Sequence, residues 1–295
     1  MGAMGKKSRR NSRRNRATAR PDLYVPPLNP RPFAGLANEL ELAAMRELLP
    51  AATLTLTTTP EYGEREVTFA TIVAGTGQAM VRSDGRLLVA MQTRSRTADA
   101  SHDLGVVVKE MLDVTEQTTT STINLRQHGP SLQDLFGDTR GTCTIEPDLG
   151  FWLAEGDRDE DAQEAIRRTG EEIVPCECVP GQRATYLTTM THDFVRMVLP
   201  DDEDAVVNGL ARLRASGELD ISDGSLDARF IGAFRMLGLV TPVWEFSRRV
   251  NADEIAEAVA ALRSRIDEAI ARDGALSARE RQVREGILSR QVSIR

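Results

Sequence analysis

Apolar residues recur at helical spacing through Leu36, Leu40, Ala43, Ala44 and Leu48, predicting an amphipathic helix over Leu36–Leu49 that Pro50 stops. The period then drops to two. Leu54-Thr-Leu56-Thr alternates as a half-buried strand should, and Val67–Val73, Ala79–Arg82 and Leu87–Met91 read as further strands. Gly63 and Asp84-Gly85 supply the turns between them. A second helix is expected from Ser101 as N-cap, with Leu104, Val107, Val108 and Met111 on one face. Thr115–Pro130 shows no period and reads as a connector.

Beyond it, Ser131–Phe136 predicts a short helix, Gly150–Leu153 a buried strand or anchor, and Glu160–Thr169 another helix. The later segments echo the earlier ones. Glu172-Ile-Val-Pro175-Cys-Glu-Cys parallels Glu47-Leu-Leu-Pro50-Ala-Ala-Thr, Phe194-Val-Arg196 parallels Met80-Val-Arg82, and Gly238–Trp244 parallels Gly85–Met91. Helices at Asp202–Ala215 and Ser225–Leu237 are expected as insertions. Asn251 and Glu254 form a capping-box pattern ahead of Ile255, Val259, Leu262, Ile266 and Ile270, and Ser277 and Glu280 form a second ahead of a helix to about Leu288. Val292 and Ile294 are spaced for a terminal strand. The reading is an α+β protein with two related halves of antiparallel sheet packed with helices. Residues 33–114 form the first half, 115–130 the connector and 131–295 the second half.

Residues 1–32 stand apart. Met1-Gly2-Ala3 reads as an expression scar or upstream start ahead of Met4. Pro21, Pro26, Pro27, Pro30 and Pro32 make an extended linker, and the preceding residues lack any apolar period, so a flexible tail is expected. Its charge changes the picture. Lys6, Lys7, Arg9, Arg10, Arg13, Arg14, Arg16 and Arg20 face no acid within the first twenty residues. The remainder carries 29 Lys and Arg against 44 Asp and Glu, a net of −15. A solvated cationic run attracts phosphate polyanions without a folded pocket. These eight residues are therefore the candidate nucleic-acid contacts, with the carboxy-terminal arginines (Arg279, Arg281, Arg284, Arg290, Arg295) as a supplement. Aromatics at 4% argue against a base-stacking platform.

Catalytic and metal signatures are weak. His102 beside a helix cap, His128 in the connector and His192 in a hairpin turn share no ligand spacing and read as exposed polar residues. Cys176-Glu177-Cys178 lacks the two-to-four-residue knuckle of a zinc site, and Cys143 does not complete a set, so two small buried side chains are expected. The acidic clusters Glu155–Asp161 and Asp201–Asp204 suit helix N-termini. Neither a phosphate loop nor a nucleophile elbow is present, and no cofactor is implied. Three cysteines, no bilayer-length apolar run and no secretory apolar core imply a cytoplasmic protein without a transmembrane segment.

The phrases Met4-Gly-Lys-Lys-Ser-Arg-Arg, Arg31-Pro-Phe-Ala-Gly-Leu36, Arg46-Glu-Leu-Leu-Pro-Ala-Ala-Thr53, Val198-Leu-Pro-Asp-Asp202, Thr241-Pro-Val-Trp244 and Leu288-Ser-Arg-Gln-Val292 resemble an actinobacterial protein family of unknown function with a basic amino terminus. The resemblance covers essentially the whole chain. It implies a bacterial cytosolic setting and carries over no site residue. The expectation is a non-enzymatic RNA- or ribosome-associated accessory protein, with a protein partner on the acidic body. A scaffold or adaptor with no nucleic-acid role is the alternative.

Overall fold

Pro50 marks the first switch of backbone geometry. The computed structural model describes residues 23–71, 77–92, 96–289 and 292–293. Helix α1 (Glu39–Glu47) ends just before that proline, and β1 (Ala52–Thr57) starts just after it with Ala52, Leu54 and Leu56 turned inward. β2 (Glu66–Ala70), β3 (Ala79–Val81), β4 (Leu87–Ala90), α2 (Ala100–Met111), β5 (Thr118–Thr120), α3 (Leu132–Phe136) and β6 (Cys143–Ile145) follow. The first sheet has the order β5-β3-β4-β2-β1-β6. Its neighbours are antiparallel except β2 and β4, which run parallel. β4 is buried at every position, as a strand covered on both faces must be. Phe136 of α3 meets Phe69 of β2 edge-on, with ring centroids 5.4 Å apart.

The second unit runs through α4 (Glu160–Glu172), β7 (Cys176–Cys178), β8 (Thr185–Thr189), β9 (Asp193–Met197), α5 (Glu203–Ser216), β10 (Ile221–Asp223), β11 (Leu226–Met236), β12 (Leu239–Phe246), α6 (Ala252–Ile270), α7 (Ala278–Ser289) and β13 (Val292–Ser293). Its sheet has the order β10-β11-β12-β9-β8-β7, antiparallel throughout, with β13 lying parallel to β11. Helices α5, α6 and α7 cover one face. There Trp244 is fully buried, meets Phe230 edge-on and donates from Nε1 to the Leu219 carbonyl at 2.8 Å. From the second unit, Ala184, Tyr186, Val198, Met236 and Leu239 join the first unit's core. The two sheets are therefore welded through a shared apolar layer.

Several expectations change. Ser225–Leu237 is a strand, not a helix: Leu226, Ala228 and Phe230 point inward, a bulge between Phe230 and Gly232 shifts the phase, and Ala233 and Met236 continue the buried set. The bulge leaves Leu226, Phe230, Ala233 and Leu237 at a false helical spacing. Ser101 is not the N-cap of α2. Asp99 is, accepting from the Ser101 and His102 amides, while the Ser101 hydroxyl donates to Gln133 and accepts from the Leu132 amide. The 115–130 segment is not merely a connector, because it holds β5. Beyond it, α3 packs in the first core and β6 is the edge strand of the first sheet, so the first unit extends past residue 130 at least to Ile145. Gly150–Leu153 is a single 3₁₀ turn whose Trp152 Nε1 donates to the Thr71 carbonyl at 2.8 Å, an anchor and no strand.

The echoing segments are strands in both units, with β3 beside β4 and β9 beside β12, each pair followed by a helix. Their settings differ. β4 runs parallel to its other neighbour β2, whereas its counterpart β12 runs antiparallel to β11. Among the described residues no helix is long and apolar enough to cross a membrane.

Candidate functional site

The eight cationic tail residues, Lys6 through Arg20, lie outside the described residues, as do Arg290 and Arg295. What the structure places is the root of the tail. An extended strap begins at Leu23 and is bound to the body at successive points. The Tyr24 ring lies 4.0 Å from that of His128 and 5.3 Å from that of His102, centroid to centroid. The Asn29 amide donates to the Ala98 carbonyl, and its side chain to Asp99. Arg31 holds Glu39 through two bonds, at 2.5 and 3.1 Å, and the Pro200 carbonyl at 2.7 Å. Gln133 donates to the Pro32 and Ala34 carbonyls, and Phe33 is buried in the first core.

Proline makes this binding cheap, because an already extended segment loses little entropy when it docks. Leu23, Val25 and Leu28 stay exposed on the outer side. The strap crosses the β11–β12 turn at Gly238, where φ is +79° and an added Cβ would stand 2.7 Å from Arg31 Cβ and 2.9 Å from the Pro30 carbonyl oxygen. Gly238→Ala is expected to lift the strap and raise chymotryptic cleavage after Tyr24 several-fold, read by mass spectrometry. Unchanged cleavage would show that the strap is held without this crossing.

The histidines divide. His128 and His192 are exposed as expected, with His192 Nδ1 at 3.6 Å from Glu245 Oε1. His102 is not exposed. It is 5% accessible, with Nε2 at 2.9 Å from the Gln127 carbonyl, and Nδ1 makes no hydrogen bond among the described residues. The capping helix N-termini agree with the acidic-cluster reading. Asp202 accepts from the Asp204 and Ala205 amides, and Asp159 from the Ala162 amide.

Where the two units meet, a polar pocket of about 360 Å³ opens between α1, β6 and β8. The Asn38 side chain donates to the Gly141 carbonyl at 3.0 Å and accepts from its amide at 2.8 Å. Arg183 forks onto Glu41 at 2.7 and 2.9 Å and donates to the Ala37 carbonyl. Cys143 and Tyr186 line the interior, Cys178 lines the pocket at a solvent-exposed position, and exposed Arg140 has no partner among the described residues. Cys178 is exposed rather than buried, while Cys176 packs against the first core. Among the described residues, no group of three or more His, Cys, Asp or Glu is arranged to hold a metal ion.

Burial pushes the Cys143 thiol up to about 12 and the Cys176 thiol up to about 11, and raises Cys178 and the Tyr186 phenol as well. These groups stay protonated at neutral pH, so the pocket offers neither a thiolate nucleophile nor a phenolate base. Its one strong charge pair is internally neutralised. Through Arg183 and Glu41 the pocket spans the two units. Free thiols ionise near 9, so neutral buried thiols contribute stability in full below that pH and lose it as pH rises towards 12. The wild-type Tm is expected to fall more steeply between about pH 8 and 11 than that of a Cys143→Ala/Cys176→Ala variant. Parallel slopes would show that the thiols titrate normally.

A family model matches residues 32–295, which include the strap from Pro32, both sheets and the seam pocket. The chain belongs to DUF5926, a family of unknown function. The DUF5926 match begins beyond the cationic tail and the Tyr24 contact. No curated protein and no solved structure matches the chain. The seam pocket of this DUF5926 chain had no legible motif, because Asn38, Gly141 and Arg183 are far apart in sequence and of ordinary types.

Proposed function

We propose that this protein is a non-enzymatic accessory factor that holds RNA, free or in the ribosome, through its basic tail and engages a protein partner through its acidic body. The observation that carries the reading is charge segregation: eight cations and no acid in residues 1–20, ahead of a body at −15. The strap supports it, because it fixes the root of the tail at one place on the body and leaves the cations a defined origin.

Pairing within the body supports it too. Arg31, Arg82, Arg183, Arg214, Arg235, Arg248, Arg249 and Arg284 are engaged by carboxylates. Of the carboxy-terminal set, Arg284 binds Asp204 and Asn208, Arg281 donates to the Leu276 carbonyl, and only Arg279 lacks a partner among the described residues. Exposed Arg140 and Arg279 lack partners among the described residues, but they are isolated charges on an acidic body, so the reading assigns phosphate contact to the tail.

The test is co-purification from cells with and without nuclease, together with the ultraviolet absorbance ratio of the native protein. Bound nucleic acid, and partners released by nuclease, are expected. Absence of nucleic acid with every partner retained would overturn the reading in favour of an adaptor.

A further inference from the structure

Helix α4 is amphipathic, yet none of its residues is buried. Ala162, Ala165, Ile166 and Thr169 recur at i, i+3, i+4 and i+7, so they share one face. That face lines an open, largely apolar groove of about 300 Å³, whose opposite wall includes Met80 of β3, Thr119 of β5 and Trp152. The wall is firmly built. Trp152 is pinned to Thr71, Arg82 donates to the Phe151 carbonyl at 2.7 Å, and Ser83 donates to Asp157 at 2.6 Å. An apolar helix stripe facing an unfilled groove on a rigid wall is a surface shaped for insertion.

The charge of the segment that builds much of the groove selects what inserts. Residues 148–172 hold nine Asp or Glu against three Arg, a net of −6. Arg167 and Arg168 are already paired with Glu164 and Glu171, while Glu155, Glu160, Asp161 and Glu172 have no partner among the described residues. Unpaired carboxylates repel fatty acids and phosphates and attract cations. The chain's own tail has the charge but not the anchor: apart from its two methionines, residues 1–20 contain no aliphatic side chain larger than Ala.

We propose that this groove docks a cationic segment of a partner protein, which inserts a large aliphatic or aromatic side chain beside Trp152 and lays Lys or Arg along the carboxylates of residues 148–172. The inference rests on the reading that the acidic body engages a protein partner, and it names the place and the chemistry.

Trp152 reports occupancy directly. The chain has two tryptophans, and Trp244 is fully buried in the other core. Full-length protein is titrated with a synthetic amphipathic peptide of Lys and Leu, with the same peptide carrying Ala for Leu, and with a Glu and Leu counterpart. The Lys/Leu peptide is expected to shift the Trp152 emission, and the shift should vanish in Trp152→Phe. Affinity is expected to fall about tenfold or more with the Ala peptide and in Ile166→Glu, since a large apolar anchor is lost. Ala165→Glu, at a solvent-exposed position of the same groove face, provides a second block, and unchanged Tm in both variants verifies folding.

Equal binding by the Ala or Glu peptides, or no response to either block, would overturn the groove. Co-purification separates that failure from a wider one. Nuclease-resistant partners retained by Ile166→Glu would place partner binding elsewhere on the body and overturn the groove alone. The absence of any nuclease-resistant protein partner in the wild type would overturn the partner reading and this proposal with it.

Discussion

Removal of residues 4–20 is expected to abolish RNA binding at moderate salt. If all eight cations meet phosphates, the logarithm of the binding constant falls against the logarithm of salt with a slope of about −7 on duplex and about −6 on single strands. Full-length protein would then lose about 10⁴-fold in affinity between 50 and 200 mM salt. The truncated protein has a body at −15 and should show a slope near zero with only residual affinity. Fluorescence anisotropy with a labelled RNA across a salt series measures both quantities. A scrambled tail of the same composition should restore the slope, because phosphate contact needs charge and reach but no particular order. Unchanged affinity in the truncated protein at low salt would sink the proposal.

Gly105→Ala is expected to destabilise the first unit strongly. By helix propensity alone the change should stabilise α2 by about 1 kcal/mol. Packing reverses the sign. The new Cβ would stand 2.0 Å from the Pro130 carbonyl oxygen, 3.0 Å from its carbon and 3.2 Å from the Ser131 carbonyl carbon. These are backbone atoms and have no rotamer to change. They are also held: the Leu132 amide donates to Ser101 Oγ, the Ser101 hydroxyl to Gln133, and Ser131 and Asp134 form a capping box.

Overpacking against fixed backbone costs about 3 kcal/mol or more, which lowers Tm by roughly 6–12 °C. Because Gln133 also holds the strap at Pro32 and Ala34, the same variant should loosen the root of the tail. A calorimetric scan decides the matter. A raised Tm would mean that propensity outweighs contact here and that α2 and the 130–131 backbone are not in close approach.

Legibility followed burial asymmetry. β1 alternates because one side of each pair meets the core, and its Thr55 hydroxyl pairs across the ladder with Thr68 at 2.9 Å. β4 and β12 read correctly because nearly every position is buried. β5 was invisible, since an exposed edge strand of three threonines has no apolar face to betray it. β11 was misread because one bulge residue converts a period of two into an apparent period near 3.6. Asp99 and Ser101 are both good capping types, and only the approach of α3 assigned the hydroxyl of Ser101 elsewhere. The α4 stripe was visible as a helix, but its lack of cover was not, because cover depends on what the rest of the chain places opposite.

The amino-acid sequence by itself determined the α+β class, most helices and strands, the acidic body and the cationic tail. Each of these depends on local periodicity or on summed charge, and neither needs distant residues to meet. Tertiary structure alone decided the order of the sheets, the shared core through Tyr186 and Met236, the strap clamped by His102, His128 and Gly238, and the open groove beside Trp152. These features join residues up to about two hundred positions apart, where the free energy lies in mutual burial and hydrogen bonding.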